Sequence, residues 1–244
     1  MTAITVFCAV WHKNPDRLAL LAAHRENLRC QTVPVHPIYV FDGGDTPPAG
    51  LDAETVCSSE DLTVYQAWNL GLAQVRTPLV MNLNLDDRLA HDAVEQLALE
   101  LRRSRAALAG GDWRICYSQA ETDKTEACFP PQSLPRMTSW PPQPGPAVRI
   151  GCSENVSTYG PATMWQMAVH STLPRYPWRF GDGSLIRTIG DALFWKLLEL
   201  NKLPTTRLQK VIGNYHSHPA DQAEFRVDGA AEWQLAAKHG VERT

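Results

Sequence analysis

Thr77–Arg88 reads TPLVMNLNLDDR, and the rest of the chain is organised around it. Pro78 to Met81 is a short apolar run with the composition of a strand buried on both faces. It runs directly into Asn84-Leu85-Asp86-Asp87, an amide and two adjacent carboxylates at a strand's carboxyl end. In open α/β sheets ligands sit at that edge. Adjacent acids repel unless a cation or hydrogen-bond donors compensate, so the placement points to a metal or phosphate-metal site. The plainer reading is that Asp87 caps the following helix and Asp86 is a solvated loop residue.

Working outward, strands and helices alternate through the first half. Ile4–Val10 reads as a buried strand, and Asn14-Pro15 as the cap and first residue of a helix carrying Leu18, Leu21, Ala22 and Leu28 on one face. Pro37–Phe41 is a second strand, broken by Asp42-Gly43-Gly44-Asp45, and Thr55–Cys57 is a third. A helix is expected over Asp61–Val75, with Gly71 inside it against propensity, as close approach to a neighbour would require. Another is expected from about Ala90, with Val94, Leu97 and Leu101 on one face, and a strand over Ala106–Gly110. This order predicts an α/β fold with a mainly parallel central sheet covered on both faces.

The texture changes at Gln119. Seven prolines between Pro130 and Pro146 mark a long functional loop or insertion. Regular structure resumes over Ala162–Leu173. After a second break at Pro174–Ser184, Ile189–Leu200 is apolar on nearly every side and reads as a buried helix. Arg207–Tyr215 reads as a strand running into His216-Ser217-His218, and Asp228 starts a surface helix that ends near Gly240. With no internal repeat and no linker, residues 1–244 are read as one domain. Residues 1–117 form one half, 118–150 a proline-rich loop, and 151–244 a smaller second half.

Composition excludes several classes. At 44% hydrophobic residues the chain can bury a substantial core. A net charge of −3, with no basic run, argues against binding nucleic acid through bulk charge. The six cysteines show no CxxC pair or disulfide spacing and read as free thiols in a reducing compartment. No apolar stretch approaches membrane-spanning length and the N-terminus lacks a charged leader, so a cytoplasmic protein is expected, peripheral to a membrane at most.

In this order the pieces resemble the family 2 glycosyltransferases, which have a GT-A fold. Phe41-Asp42-Gly43-Gly44-Asp45 is similar to that family's V-D-D-G-S turn, and Ala67-Trp68-Asn69-Leu70-Gly71 to its A-x-N-x-G helix. Leu83-Asn84-Leu85-Asp86-Asp87 is similar to its L-D-x-D-D metal motif, and Gly190-Asp191-Ala192-Leu193-Phe194-Trp195-Lys196 to the acidic helix of its acceptor half. Asn84 stands where the pattern has its first aspartate, and Gly43 where the turn has its second acid.

The resemblance implies an inverting transfer of a sugar from a nucleotide-diphosphate donor to an acceptor hydroxyl on a glycan, a lipid-linked intermediate or a protein. It implies Asp191 as the base and Asp86 as the ligand of a divalent cation (Mg²⁺ or Mn²⁺), with His216 as a second candidate ligand. Ala9, Val10, Trp11, Asp42, Asn69, Asn84 and Asp87 are the implied contacts to the donor nucleotide. Plainer readings stand beside these. Asp191 also reads as favouring the helix dipole, Asp42 as a turn former, and His216-x-His218 as chance. Trp165, Trp178 and Trp195 are candidate stacking surfaces for an acceptor, with Trp195 also suited to the core. A nucleotidyltransferase would want a glycine- and basic-rich loop in Val10–Arg17, and a dehydrogenase a GxGxxG after the first strand; neither is present. A non-catalytic nucleotide- or sugar-binding scaffold of the same fold is the remaining alternative.

Overall fold

The computed structural model describes residues 3–138, 141–142, 144–150, 159–218 and 226–242. In chain order β1 (Ile4–Val10), α1 (Arg17–Arg29), β2 (Val35–Phe41), β3 (Glu54–Cys57), α2 (Val64–Gln74) and β4 (Leu79–Asn82) alternate as expected. They are followed by β5 (Arg88–Leu89), α3 (Ala93–Ser104), β6 (Leu108–Cys116), α4 (Gln119–Thr122), β7 (Arg149–Ile150) and β8 (Met164–Gln166). The chain then continues through α5 (Gly190–Leu200), β9 (Thr205–His216) and α6 (Gly229–His239).

Among the described residues one nine-stranded sheet runs in the order β3-β2-β1-β4-β8-β6-β9-β5, with β7 on the side of β6. Its long ladders are parallel: β1 takes β2 on one flank from Ile4↔Val35 and β4 on the other from Ile4↔Leu79, and β6 pairs β9 from Leu108↔Thr205 to Cys116↔His216. The short ladders around β8, β7 and β5 are antiparallel. This is a single α/β domain with a GT-A-like sheet.

Alternation along β1 sends Val6 to one face and Phe7 to the other. Val6 and Met81 meet Leu28 of α1 and Val94, Leu97 and Leu101 of α3. Phe7, Val80 and Trp165 meet Trp68 and Leu72 of α2 and Phe194 and Leu198 of α5. Each such side chain contributes about 1.5–3 kcal/mol when fully buried, so the two layers hold the strand ends in a fixed plane. A methyl group on Gly71 would lie 3.1 Å from Phe7 Cβ and 3.2 Å from Val40 Cγ2, which is the close approach that a glycine in α2 implied.

Several boundaries differ from the sequence expectation. The first helix begins at Arg17, because Asn14 forms a turn in which its carboxamide oxygen accepts from Asp16 N–H at 2.9 Å. The second begins at Val64, where Thr63 and Gln66 form a reciprocal capping box. The third begins at Ala93, since Arg88–Leu89 is taken up as β5 against β9. The strand expected over Ala106–Gly110 continues to Cys116 because β9 pairs along its length. The proline-rich stretch holds the short α4, a 3-10 turn at Pro131–Ser133 and the start of β7 at Arg149. Trp165 and Trp195 belong to the core, which leaves only Trp178 of the three candidate stacking tryptophans partly open. Cys8, Cys30, Cys57, Cys116 and Cys128 are free, and Cys152 lies outside the described residues. Among the described residues no helix is long and apolar enough to cross a membrane.

Candidate functional site

The carboxyl ends of β1, β2 and β4 bring three sequence motifs to one edge of the sheet. β1 ends in Ala9 and the buried Val10, then turns outward at Trp11, which is 46% exposed. Beside it Asp42, buried at the end of β2, accepts from His12 N–H at 2.9 Å and from Leu62 N–H at 3.2 Å. The His12 ring lies with Nδ1 3.0 Å from the same Asp42 oxygen and Nε2 3.3 Å from Asp61, which also pairs with Lys13 at 2.5 Å.

This ring accounts for the missing second acid of the turn. Gly43 has φ +58°, and a Cβ on it would lie 2.5 Å from the His12 imidazole. An aspartate there would both strain the backbone and displace His12 from its two carboxylates.

At the end of β4 the two adjacent acids are not equivalent. Asp87 is fully buried, accepting from His216 N–H at 2.9 Å through one oxygen and from the Asn84 amide at 3.3 Å through the other. Burial, and then the charge of Asp86, raises its pKa well above the usual carboxylate range. Asp86 is partly open, and its backbone carbonyl accepts from Gln119 of α4 at 3.2 Å. Beneath the turn the buried Arg88 donates to the carbonyls of Leu85 (2.9 Å) and Asp87 (2.7 Å) and pairs with Asp123 at 2.8 Å. The loop is therefore fastened to α4 and to the end of β9, which brings the buried His216 to it. The His216 and His218 rings stack at 6.5 Å, and His216 Nδ1 lies 3.4 Å from the Thr122 hydroxyl.

Among the described residues no three Asp, Glu, His or Cys side chains form a ready cation cage. With both Asp87 oxygens hydrogen-bonded, the donor set fits a cation held by one or two protein side chains and completed by phosphate oxygens, a common arrangement for Mg²⁺.

The start of α5 is tied to the same region through Tyr65. Asp191 is half-buried in its first turn, accepting from Tyr65 Oη–H at 3.3 Å and from Ala192 N–H at 2.8 Å. Burial pushes its pKa up to about 6, against the lowering effect of these two donors. The buried Tyr65 phenol is raised far above its usual range, first by burial and then by the Asp191 charge, so it stays protonated and donates. Tyr65 belongs to the first turn of α2, three residues after Leu62, whose N–H serves Asp42. One short segment thus links the end of β2 to the start of α5, which places Asp191 on the same edge of the sheet as Asp42. Gly190 makes the approach possible: a Cβ there would lie 2.7 Å from both the Pro177 carbonyl oxygen and the Tyr65 ring.

Asn69 lies away from this edge chemistry. Its carboxamide donates to Tyr176 O at 2.8 Å and accepts from Tyr176 N–H at 3.0 Å, fixing the loop that leads to α5. His12, Tyr65, Arg88 and Gln119 hold the acids of this candidate site, and the sequence reading did not single them out. The only advance signal was Gly43, an unexplained glycine beside an acid.

No family model matches the chain, and no curated relative matches it in sequence. Its fold is similar to that of Staphylococcus aureus TarS. The TarS 1–349 crystal structure superposes with a TM-score of 0.61 at 12% identity, over 97% of this chain and 70% of that one. The complex of TarS 1–349 with UDP gives 0.60 at 12% identity over 97% and 70% of the two chains. The complex with UDP-GlcNAc gives 0.62 at 11% identity over 93% and 61%. Against the longer TarS structure this chain spans 42% of the partner's length. At these identities the likeness is one of fold.

Proposed function

We propose that the protein is an inverting glycosyltransferase that moves a sugar from a nucleotide-diphosphate sugar to an acceptor hydroxyl. The observation that carries this reading is Asp191, a carboxylate whose pKa is raised to about 6 at the edge of the sheet where Asp42 and the Asn84–Asp87 turn converge. Such a group is ionised near neutral pH yet basic enough to take a proton from a hydroxyl. The TarS complexes with UDP and UDP-GlcNAc, on a similar fold, support a uridine nucleotide as the first donor to try.

In this mechanism Asp191 takes the acceptor proton as the acceptor oxygen bonds to the anomeric carbon. The bond to the diphosphate breaks on the opposite side, which inverts the configuration. Tyr65 holds Asp191 in orientation and keeps its own proton. Asp42 and the backbone of Ala9–Trp11 hold the nucleoside, and Asn84 lines the diphosphate side. Asp86, with His216, would hold a divalent cation (Mg²⁺ or Mn²⁺), whose contribution is to neutralise charge gathering on the leaving diphosphate. Asp87 faces inward and supports that loop from beneath.

The alternative is a scaffold of the same fold that binds a nucleotide or sugar without turnover; the lost charge at Asn84 favours it. A panel of nucleotide sugars with Mg²⁺ or Mn²⁺, read by nucleoside diphosphate release, separates the two. Slow hydrolysis of at least one donor, falling by about 10²–10⁴ in Asp191→Asn, is expected. Binding without release favours the scaffold, and neither binding nor release overturns both readings.

A further inference from the structure

The segment that presents Asp191 does not hold itself in place. α5 begins with Ile189 at its cap position, and no side chain at that position accepts a hydrogen bond from its first amides. An acceptor from α6 instead holds the three residues that lead into the helix. Glu232, 5% exposed, accepts from the N–H groups of Arg187 (2.8 Å), Thr188 (3.0 Å) and Ile189 (3.2 Å) and from the Thr188 hydroxyl (2.7 Å). Both carboxylate oxygens are engaged by donors from three consecutive residues. A carboxylate at this position also favours the positive end of α5.

A second set of contacts joins the chain after α6 to the loop before α5. Gly181 N–H donates to Gly240 O at 3.1 Å, Glu242 N–H donates to Arg179 O at 3.1 Å, and Phe180 bridges Val241. The loop itself is a tight hairpin, in which Phe180 N–H donates to Ser184 O and Ile186 N–H to Trp178 O, both at 2.9 Å. It leads straight into Arg187–Ile189. The expected surface helix is therefore an anchored one, with a buried acid turned toward the site.

We propose that α6 is the brace that positions Asp191, with Glu232 as its positioning residue, so that the acceptor wall is assembled by the segment 228–242. This rests on the reading of Asp191 as the base. Gly190 is wedged between the Pro177 carbonyl and the Tyr65 ring, so any shift of Arg187–Ile189 carries Asp191 off Tyr65. Among the described residues Glu232 takes its hydrogen bonds from Arg187–Ile189 and none from β1, β2 or β4, so the donor wall stays in place.

Glu232→Gln in the full chain tests this. The substitution keeps the volume but turns one acceptor oxygen into an NH₂ that faces an N–H donor. Turnover of UDP-GlcNAc, or of whichever nucleotide sugar is hydrolysed, is expected to fall about 10–100-fold. The donor KM is expected to stay within about twofold. The acid limb of the pH–rate profile is expected to move to lower pH as water reaches Asp191, and amides 187–193 to exchange faster with solvent deuterium. Wild-type turnover, unchanged exchange at 187–193, or a fall in kcat matched by a rise in donor KM would each overturn the brace. If Glu232→Gln does not fold, Glu232→Asp, which retains both oxygens one methylene short, is read by the same criteria. Full turnover in Asp191→Asn would remove the base reading alone, because faster exchange at 187–193 in the Glu232 variant does not depend on it.

Discussion

Asp42 and Asp191 stand at the same edge of the sheet, but they are held over very different distances along the chain. Asp42 is fixed by His12, 30 residues before it, and by Leu62, 20 residues after it. Asp191 is held by Tyr65, 126 residues earlier, and its approach segment by Glu232, 43 to 45 residues later. The part of the edge proposed as the donor wall is a local structure that grows out of consecutive β-α units. The part proposed as the acceptor wall is a junction between distant segments, so it is where small changes propagate furthest.

The substitution expected to separate the walls most sharply is Gly190→Ala. Its added methyl meets a backbone carbonyl and a buried ring that cannot swing aside. A cost of about 2–3 kcal/mol in urea unfolding is expected, with transfer lost while UDP affinity, measured by calorimetry, stays within about threefold. Equal losses of transfer and affinity would show that the walls are one unit.

Gly43→Ala probes the local wall. The positive φ and the displaced His12 ring together are expected to cost about 1–3 kcal/mol. His12→Ala in the same chain should recover part of that loss, because the two residues compete for one space. Simple additivity would mean that the ring is not what excludes a side chain at 43.

Asp191→Asn tests the acceptor wall through pH. The folded carboxyl has its pKa raised to about 6, above the ordinary 3.8, so the native state holds its proton more tightly than the unfolded chain. Stability therefore falls as pH rises through that window and remains lower above it. The asparagine variant is expected to gain on the order of 1 kcal/mol at pH 7.5, allowing for partial exposure, and little near pH 4. Thermal melts at the two pH values give the comparison, and an equal shift at both would place the effect outside this titration. Lys13→Ala, which removes one arm of an exposed pair with Asp61, is expected to change stability by less than about 0.5 kcal/mol.

The same contrast explains what could be read in advance. The strand ends, the Asp42 turn and the Asn84–Asp87 turn were legible because each motif is a run of neighbours with its own periodicity or turn chemistry. The order of strands beyond β4 was less so: β5 is two residues long and carries no period, and β8 is three residues within Ala162–Leu173, too short for its period to show a strand. Asp86 and Asp87 look alike in sequence, and the partners that mark Asp87 as the inward one include the backbone N–H of His216, 129 residues away. Glu232 gave no signal at all, because three of its four partners are backbone amides, which every residue but proline carries.

The parallel ladder between β6 and β9 joins residues about 100 positions apart, from Leu108↔Thr205 to Cys116↔His216. Pairings over such distances close slowly and leave strand edges open while they wait. As the chain emerges during synthesis, β1–β4 and their two helices, all within residues 4–82, are made before β6 and β9 and can form their layer early. β6 then waits for β9, and α5 waits for α6. The region proposed to hold the nucleotide thus takes shape on a nascent chain well before the region proposed to hold the acceptor. The residues that complete Asp191's surroundings are made after everything they hold, so on the proposed reading turnover waits for the segment 228–242.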